Sequence, residues 1–237
     1  MRLFYVRHGQ SINNHMYIKN QSYFGRVADP EITEKGYRQM QHTAQYLNKV
    51  LDLINFSEKK ESIKKNNSYL YCSLLERSIQ SGEIVSKIMG LPLVANEHIH
   101  ENGGFFDYYE ETDERIGRAG PSKKEILERH PSLVLSDDGN VEGWWVKSFE
   151  DAAQSRARAK IVLAEVLLKH PEQNDNVIWI SHEDFYNTFM QVLLGIERDD
   201  VWFKLNNGAL TQIEFNKYGF TFIYENYYGF LPEDLIT

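Results

Sequence analysis

The chain has 237 residues, 42% hydrophobic and 25% charged, a globular balance with length enough for one large α/β domain or two small ones. Its formal net charge of −8 argues against a nucleic-acid binder working through a broad basic face. With Cys72 as its one cysteine, no signal-peptide succession and no apolar run of membrane-spanning length, a cytoplasmic protein is expected, without internal disulfides or a membrane anchor.

Leu3-Phe4-Tyr5-Val6 is a short apolar, β-branched and aromatic run that reads as a buried strand. It delivers Arg7 and His8 into a glycine turn, where the crevice beyond a strand's carboxyl end binds ligands in an open α/β sheet. Residues 18–29 show no clear period. Asp29-Pro30 then leads into a helix with Thr33 as N-cap, running to about Val50 with Met40, Ala44, Leu47 and Leu51 on one face. The lysine-bearing stretch from Ser57 to Ser68 reads as an exposed loop or frayed helix end before a second strand, Tyr69 to Cys72.

Ser73 is expected to cap the next helix, whose stripe of Ile79, Ile84, Val85, Ile88 and Met89 closes at Gly90. Arg77 would lie in its first turn, where a cation is mildly unfavourable unless an anion is expected nearby. Cys72 reads as a small core residue. After Leu93, His98 and His100 would share one face of a strand, and with Glu97 and Glu101 they raise a metal reading that lacks a third and fourth ligand nearby. Glu101 stands before Gly103-Gly104, which let the backbone turn close to a ligand.

Residues from about 102 to 147 read as an inserted lid, with a short helix starting at Pro121 or Ser122 and a turn at Ser136 to Asn140. Phe149 to His170 is the strongest helix by pattern, with Arg156 and Arg158 expected in solvent. Val177-Ile178-Trp179-Ile180 is a continuous apolar run, as in a parallel strand buried on both faces, and Ser181-His182 stand at its end. A helix closed by Gly195 follows. Ala209 to Phe215 and Phe220 to Tyr224 form a hairpin at the sheet edge, and the tail from Tyr227 docks on the surface. Strands alternating with helices throughout indicate one doubly wound, mostly parallel α/β sheet with helices on both faces and an antiparallel edge, a single domain over 1–237.

Three strand ends therefore converge, carrying Arg7 and His8, Arg77, and His182. Phosphoryl transfer needs a nucleophile, positioning and charge stabilisation, which two arginines and two facing histidines supply. A carboxyl group kept protonated, such as Glu101, would protonate the leaving oxygen, with Glu97 and Asp107 as rivals.

These stretches resemble the histidine phosphatase superfamily, also called phosphoglycerate mutase-like. Val6 to Ser11 is similar to its opening RHG signature, Asn14 to the signature's later asparagine, Asp29 to Gln39 to its Asp-Pro segment, Ser73 to Ser81 to its second-arginine motif, and Ser181-His182 to its second histidine. The resemblance implies a phosphohistidine on His8, a phosphate pocket of Arg7, Arg77 and His182, and Glu101 as proton donor. Gly9, Ser11 and Asn14 would line the pocket, with no metal or organic cofactor. Glu183 stands where the family has glycine, placing a carboxylate beside the site or pointing away from it. The implied activity is a phosphomonoesterase on a phosphorylated small molecule or a phosphoprotein. A mutase-type phosphotransferase and a catalytically silent phospholigand-binding protein are the alternatives; the substrate and oligomeric state are left open.

Overall fold

In the computed structural model the described residues are 1–22, 24–57, 67–135, 143–198 and 200–237. The lysine-bearing stretch at 58–66 and the expected turn at 136–140 lie outside them. Six strands form one sheet: β1 (Arg2–Arg7), β2 (Ser68–Cys72), β3 (Leu93–Ala95), β6 (Asn176–Ser181), β7 (Leu210–Asn216) and β8 (Gly219–Tyr227), in the order β3-β2-β6-β1-β7-β8. The first four are mutually parallel, and the β7–β8 hairpin adds to β1 antiparallel at the edge, as its alternating pattern predicts. A separate two-stranded ribbon, β4 (Phe106–Tyr109) with β5 (Glu114–Gly117), lies in the expected insertion.

Successive strand side chains point to opposite faces, and both faces are covered, which is why β1 and β6 read as unbroken apolar runs. On one face Phe4, Val6, Leu70, Cys72, Ile178 and Ile180 pack with Met40, Ala44 and Leu47 of α2 (Glu34–Ser57) and Ile79 and Val85 of α3 (Glu76–Met89). On the other, Leu3, Tyr5, Tyr71, Val177 and Trp179 meet Ala159, Val162 and Val166 of α5 (Ala152–Lys169) and Phe185 and Phe189 of α6 (Glu183–Leu194). Each large side chain so buried contributes roughly 1.5–3 kcal/mol. Cys72 is a buried core residue whose thiol burial pushes upward. Among the described residues no helix is long and apolar enough to cross a membrane.

Local signals hold at several helix ends. Thr33 Oγ1 accepts the Gly36 N–H at 3.1 Å at the start of α2, Ser122 and Glu125 form a capping box on α4 (Lys123–Arg129), and Gly90 and Gly195 take left-handed conformations after α3 and α6. One helix goes unread and two expectations fail. Ile12–Asn20 is a helix, α1, with no buried residue, so apolar periodicity cannot reveal it; a Ser11–Asn14 capping box starts it. The N-cap of α3 is Leu75 rather than Ser73. The strand expected to carry His98 and His100 ends at Ala95, and Glu97–Ile99 is a 3₁₀ turn with His98 half-buried and His100 buried.

Register places the strand ends together. Arg7 lies opposite Ser181 and Cys72 opposite Ile180, and the ladder continues one residue further through His8 N–H to Ser181 O at 3.0 Å and Ser73 N–H to Ile180 O at 3.3 Å. His8, His182 and Ser73 therefore leave three adjacent parallel strands side by side.

Candidate active site

His8 is 2% exposed, and its Nδ1 lies 2.7 Å from Gly9 O. A carbonyl only accepts, so Nδ1 carries the proton and Nε2 keeps its lone pair. Arg77 Nε donates to that Nε2 at 3.2 Å. Burial, then the charges of Arg77 and Arg7, hold the ring well below the usual histidine range, so it is neutral. The Gly9 backbone explains the glycine itself: a Cβ there would lie 2.4 Å from Gly36 O, so loop and α2 meet backbone to backbone. Gly9 N–H donates to Ser81 Oγ at 3.0 Å.

His182 is fully buried, its ring centroid 5.1 Å from that of His8 and its Nε2 2.7 Å from Ser73 Oγ. Ser73, expected as a helix cap, instead orients this second histidine. Burial, Arg77 and His8 hold His182 well below its ordinary range as well. Tyr5 Oη donates to His182 O at 3.0 Å, and Ser181 Oγ donates to Ile99 O at 2.8 Å, tying this strand end to the turn before Glu101.

Each arginine has a carboxylate partner. Arg77 Nη1 is 3.9 Å from Asp29 Oδ1, which also accepts the Glu76 N–H at 2.8 Å and so caps α3. Burial, opposed by Arg77, raises the Asp29 carboxyl to about 6. Arg7 pairs with Glu183 and donates to Leu205 O at 2.6 Å; Glu183 Oε1 in turn accepts the Leu205 N–H at 3.2 Å. The Glu183 carboxylate thus neutralises Arg7.

Glu101 Oε1 accepts the N–H groups of Asn102 and Phe185, both at 3.0 Å, which sets the carboxyl against the first turn of α6. Burial, then the neighbouring Asp184 carboxylate, raises it above the usual carboxylate range. Gly103 and Gly104 have φ of +91° and +76°, and a Cβ on Gly104 would lie 2.3 Å from the Trp145 ring, so the double glycine turns beneath that indole. The charges felt by Arg77 are those of Glu101, Asp29, Arg7 and Asp184. Glu97 is instead exposed beside His98 at 3.5 Å, and Asp107 pairs with Arg118 at 3.2 Å.

Arg158, expected in solvent, is buried. It grips Glu150 with Nε–Oε1 at 2.7 Å and Nη2–Oε2 at 2.6 Å, donates from Nη1 to His98 O at 2.7 Å and His100 O at 3.0 Å, and lies 4.2 Å over the Phe185 ring. Arg156 is also engaged, donating to Ile196 O and Gln191 Oε1. Ser11 and Asn14 serve first as the α1 capping box, and Asn207 Nδ2 bridges Asn14 Oδ1 at 3.2 Å and His8 O at 3.1 Å. Among the described residues no group of three or more His, Cys, Asp or Glu side chains is placed to hold a metal ion.

The structure thus brings Arg7, His8, Arg77, Glu101, His182 and Glu183 to one end of the sheet. Sequence reasoning missed Ser73, Asp29, Asp184 and Arg158 as members of this neighbourhood. Asp29 had a signal in the Asp-Pro pair and Asp184 in its place two residues after His182; Arg158 had none.

A family model described as the histidine phosphatase superfamily (branch 1) matches residues 3–227. No curated protein matches the chain. Among solved structures, a phosphoserine phosphatase from Entamoeba histolytica in complex with phosphoserine is 18% identical, covering 98% of this chain and 99% of its own, with a TM-score of 0.58. A putative alpha-ribazole-5'-P phosphatase from Escherichia coli is 16% identical, covering 96% of both chains, at 0.57. The ecdysone phosphate phosphatase of the silk moth Bombyx mori, in complex with tungstate, is 13% identical over 95% of this chain and 92% of its own, at 0.60. At these identities the likeness is one of fold.

Proposed function

The chain belongs to the histidine phosphatase superfamily, and from that premise we propose that it hydrolyses phosphomonoesters through a phosphohistidine formed on His8. The observation that carries the reading is the single tautomer of His8, fixed by Gly9 O on Nδ1 and leaving Nε2 as a lone pair beside Arg77 and His182.

A phosphoryl group entering here replaces His8 as the acceptor of the Arg77 N–H and draws on Arg7. Nε2 attacks phosphorus in line as the ester P–O bond breaks. The Nδ1–H to Gly9 O bond supports the positive charge that grows on the ring. Glu101, protonated because it is buried against Asp184, gives its proton to the leaving alkoxide. The resulting carboxylate then takes a proton from water, which attacks phosphorus, breaks the P–N bond, and releases phosphate with His8 neutral again.

In this reading the chain acts as one catalytic unit over 1–237, in the cytoplasm, on phosphorylated small molecules, and residues 102–147 act as a lid. The lid reading is supported by the β4–β5 ribbon, which pairs within itself and meets the loop after α1 through Arg26, 4.8 Å over the Phe106 ring, and Ser22 Oγ, 3.1 Å from Glu110. The test is His8→Ala on a panel of phosphomonoesters, with trapping of the phosphoenzyme in the unsubstituted protein. Loss of turnover and an acid-labile phosphoenzyme absent from the variant are expected; full turnover by the variant overturns the reading.

A further inference from the structure

The carboxylates around the phosphate pocket bear on what the rest of the substrate carries. Arg7 already has Glu183, and Arg77 has Asp29, so each phosphate-binding cation is matched before any ligand arrives. Asp184 has no ion pair of its own among the described residues. Its side chain is open to solvent, and its carboxylate makes no hydrogen bond or ion pair with the described residues, yet it lies near enough to Glu101, Arg77 and Arg7 for their charges to act on one another. Its backbone is fixed by Asn102 Nδ2, which donates to Asp184 O at 3.1 Å, and by the first turn of α6.

Asp184 is also placed with respect to the reaction. Glu101 must reach the leaving oxygen, and Asp184 precedes Phe185, whose N–H holds the Glu101 carboxyl. Asp184 is thus one residue from the N–H that holds the proton donor, on the side of the site where a substituent one or two carbons from the leaving oxygen would be received. Burial raises both neighbouring carboxyls, and since Glu101 is the less open to water and Asp184 the more, Glu101 is the one that holds the proton in preference. Arg26, whose guanidinium lies over the Phe106 and Tyr108 rings, also acts on Asp184 and favours its charged form.

We infer that the substrate is the phosphomonoester of an amino alcohol, whose ammonium group is received by Asp184, rather than of a hydroxy acid or a second phosphate. This rests on the phosphatase reading above and names the substrate class of that same site. A carboxylate in that position would add a third negative charge beside the phosphate and Asp184, in a chain already at −8. Two unit charges about 6 Å apart in an effective dielectric near 20 change an affinity by about a hundredfold, and screening by salt reduces this.

The experiment compares three esters of similar size: phosphoethanolamine, neutral propyl phosphate and phosphoglycolate, with the unsubstituted enzyme and with Asp184→Asn. Expected is a kcat/KM for phosphoethanolamine at least about tenfold above that for phosphoglycolate, with propyl phosphate between them. Asp184→Asn brings the three values together, chiefly through KM. Because each ratio is taken within one protein, a change in Glu101 acidity or in the folded fraction cancels. Equal or better turnover of phosphoglycolate, or a ratio untouched by Asp184→Asn, overturns the inference while leaving the phosphatase reading intact. Failure of all three esters with no phosphoenzyme overturns both.

Discussion

Replacing Arg158 by Met removes a cation that holds the backbone leading into Glu101. Its guanidinium spans Glu150, His98 O and His100 O and covers the Phe185 ring, and the Phe185 N–H is one of two that fix the Glu101 carboxyl. Glu150 is 8% exposed, so losing its partner leaves a buried charge and costs ~3–5 kcal/mol. Replacing Glu150 as well removes that charge, leaving mainly the unsatisfied carbonyls of His98 and His100, so Arg158→Met with Glu150→Met should cost ~1–3 kcal/mol. Urea unfolding measures both values. Activity separates positioning from stability, because an alkyl phosphate needs a proton on its leaving oxygen and a p-nitrophenyl phosphate needs little. A misplaced Glu101 should lower kcat/KM, which reports the leaving-group step alone, ~100-fold for the alkyl ester in the folded double variant, with that of the aryl ester changed less than about threefold. If stability falls but the alkyl-to-aryl ratio stays at its unsubstituted value, Arg158 only anchors α5 and the link to Glu101 is wrong.

Glu101→Gln should lower kcat/KM, which reports phosphoenzyme formation, by ~10²–10⁴ for an alkyl phosphate and spare it for the aryl ester, while the later hydrolysis of the phosphoenzyme slows for both. Since the raised Glu101 carboxyl is active in its protonated form, kcat for alkyl esters should hold through neutrality and fall as pH rises past its pKa; the same fall in Glu101→Gln would assign the limb to another group. His130, buried between Glu76 at 2.9 Å and Glu83 at 3.0 Å, has its pKa raised to about 9 by those carboxylates. Its contribution to stability is complete below about 6.5 and is lost as pH rises through about 9. Allowing for the partly exposed Glu83, urea midpoints should report a loss of ~2 kcal/mol that His130→Asn abolishes, and an unchanged slope in that variant would refute the assignment. Gly9→Ala forces a Cβ to within 2.4 Å of Gly36 O, so it should destabilise by ~1–3 kcal/mol and displace His8, with loss of turnover. A variant with full melting temperature and turnover would mean that this backbone contact yields freely.

Much of the site was legible because its main residues sit on strong local signals. The apolar runs of β1 and β6 are continuous because both faces of the sheet are covered, and a strand buried in that way must end where its polar residues begin. Arg7-His8 and Ser181-His182 are those ends, and parallel pairing in register makes them neighbours. Helix stops at Gly90 and Gly195 and the start at Ser122 depend on the conformational freedom of glycine and the reach of a serine hydroxyl, which belong to the residues themselves. What only the tertiary structure decided is which charge meets which. Arg158 reads as one more exposed arginine on an amphipathic helix until the turn at 97–99 and Glu150 are laid beside it. Ser73 has the spacing of a helix cap, yet a histidine 109 residues away takes its hydroxyl. Helix α1 carries no apolar face, so nothing in its periodicity marks it. Glu183 had two possible directions, and its pairing with Arg7 depends on where the 205 loop returns. Propensity and patterning act over a few residues and survive in the sequence, whereas ion pairs and hydrogen bonds between distant segments exist only once the sheet order has brought them within reach.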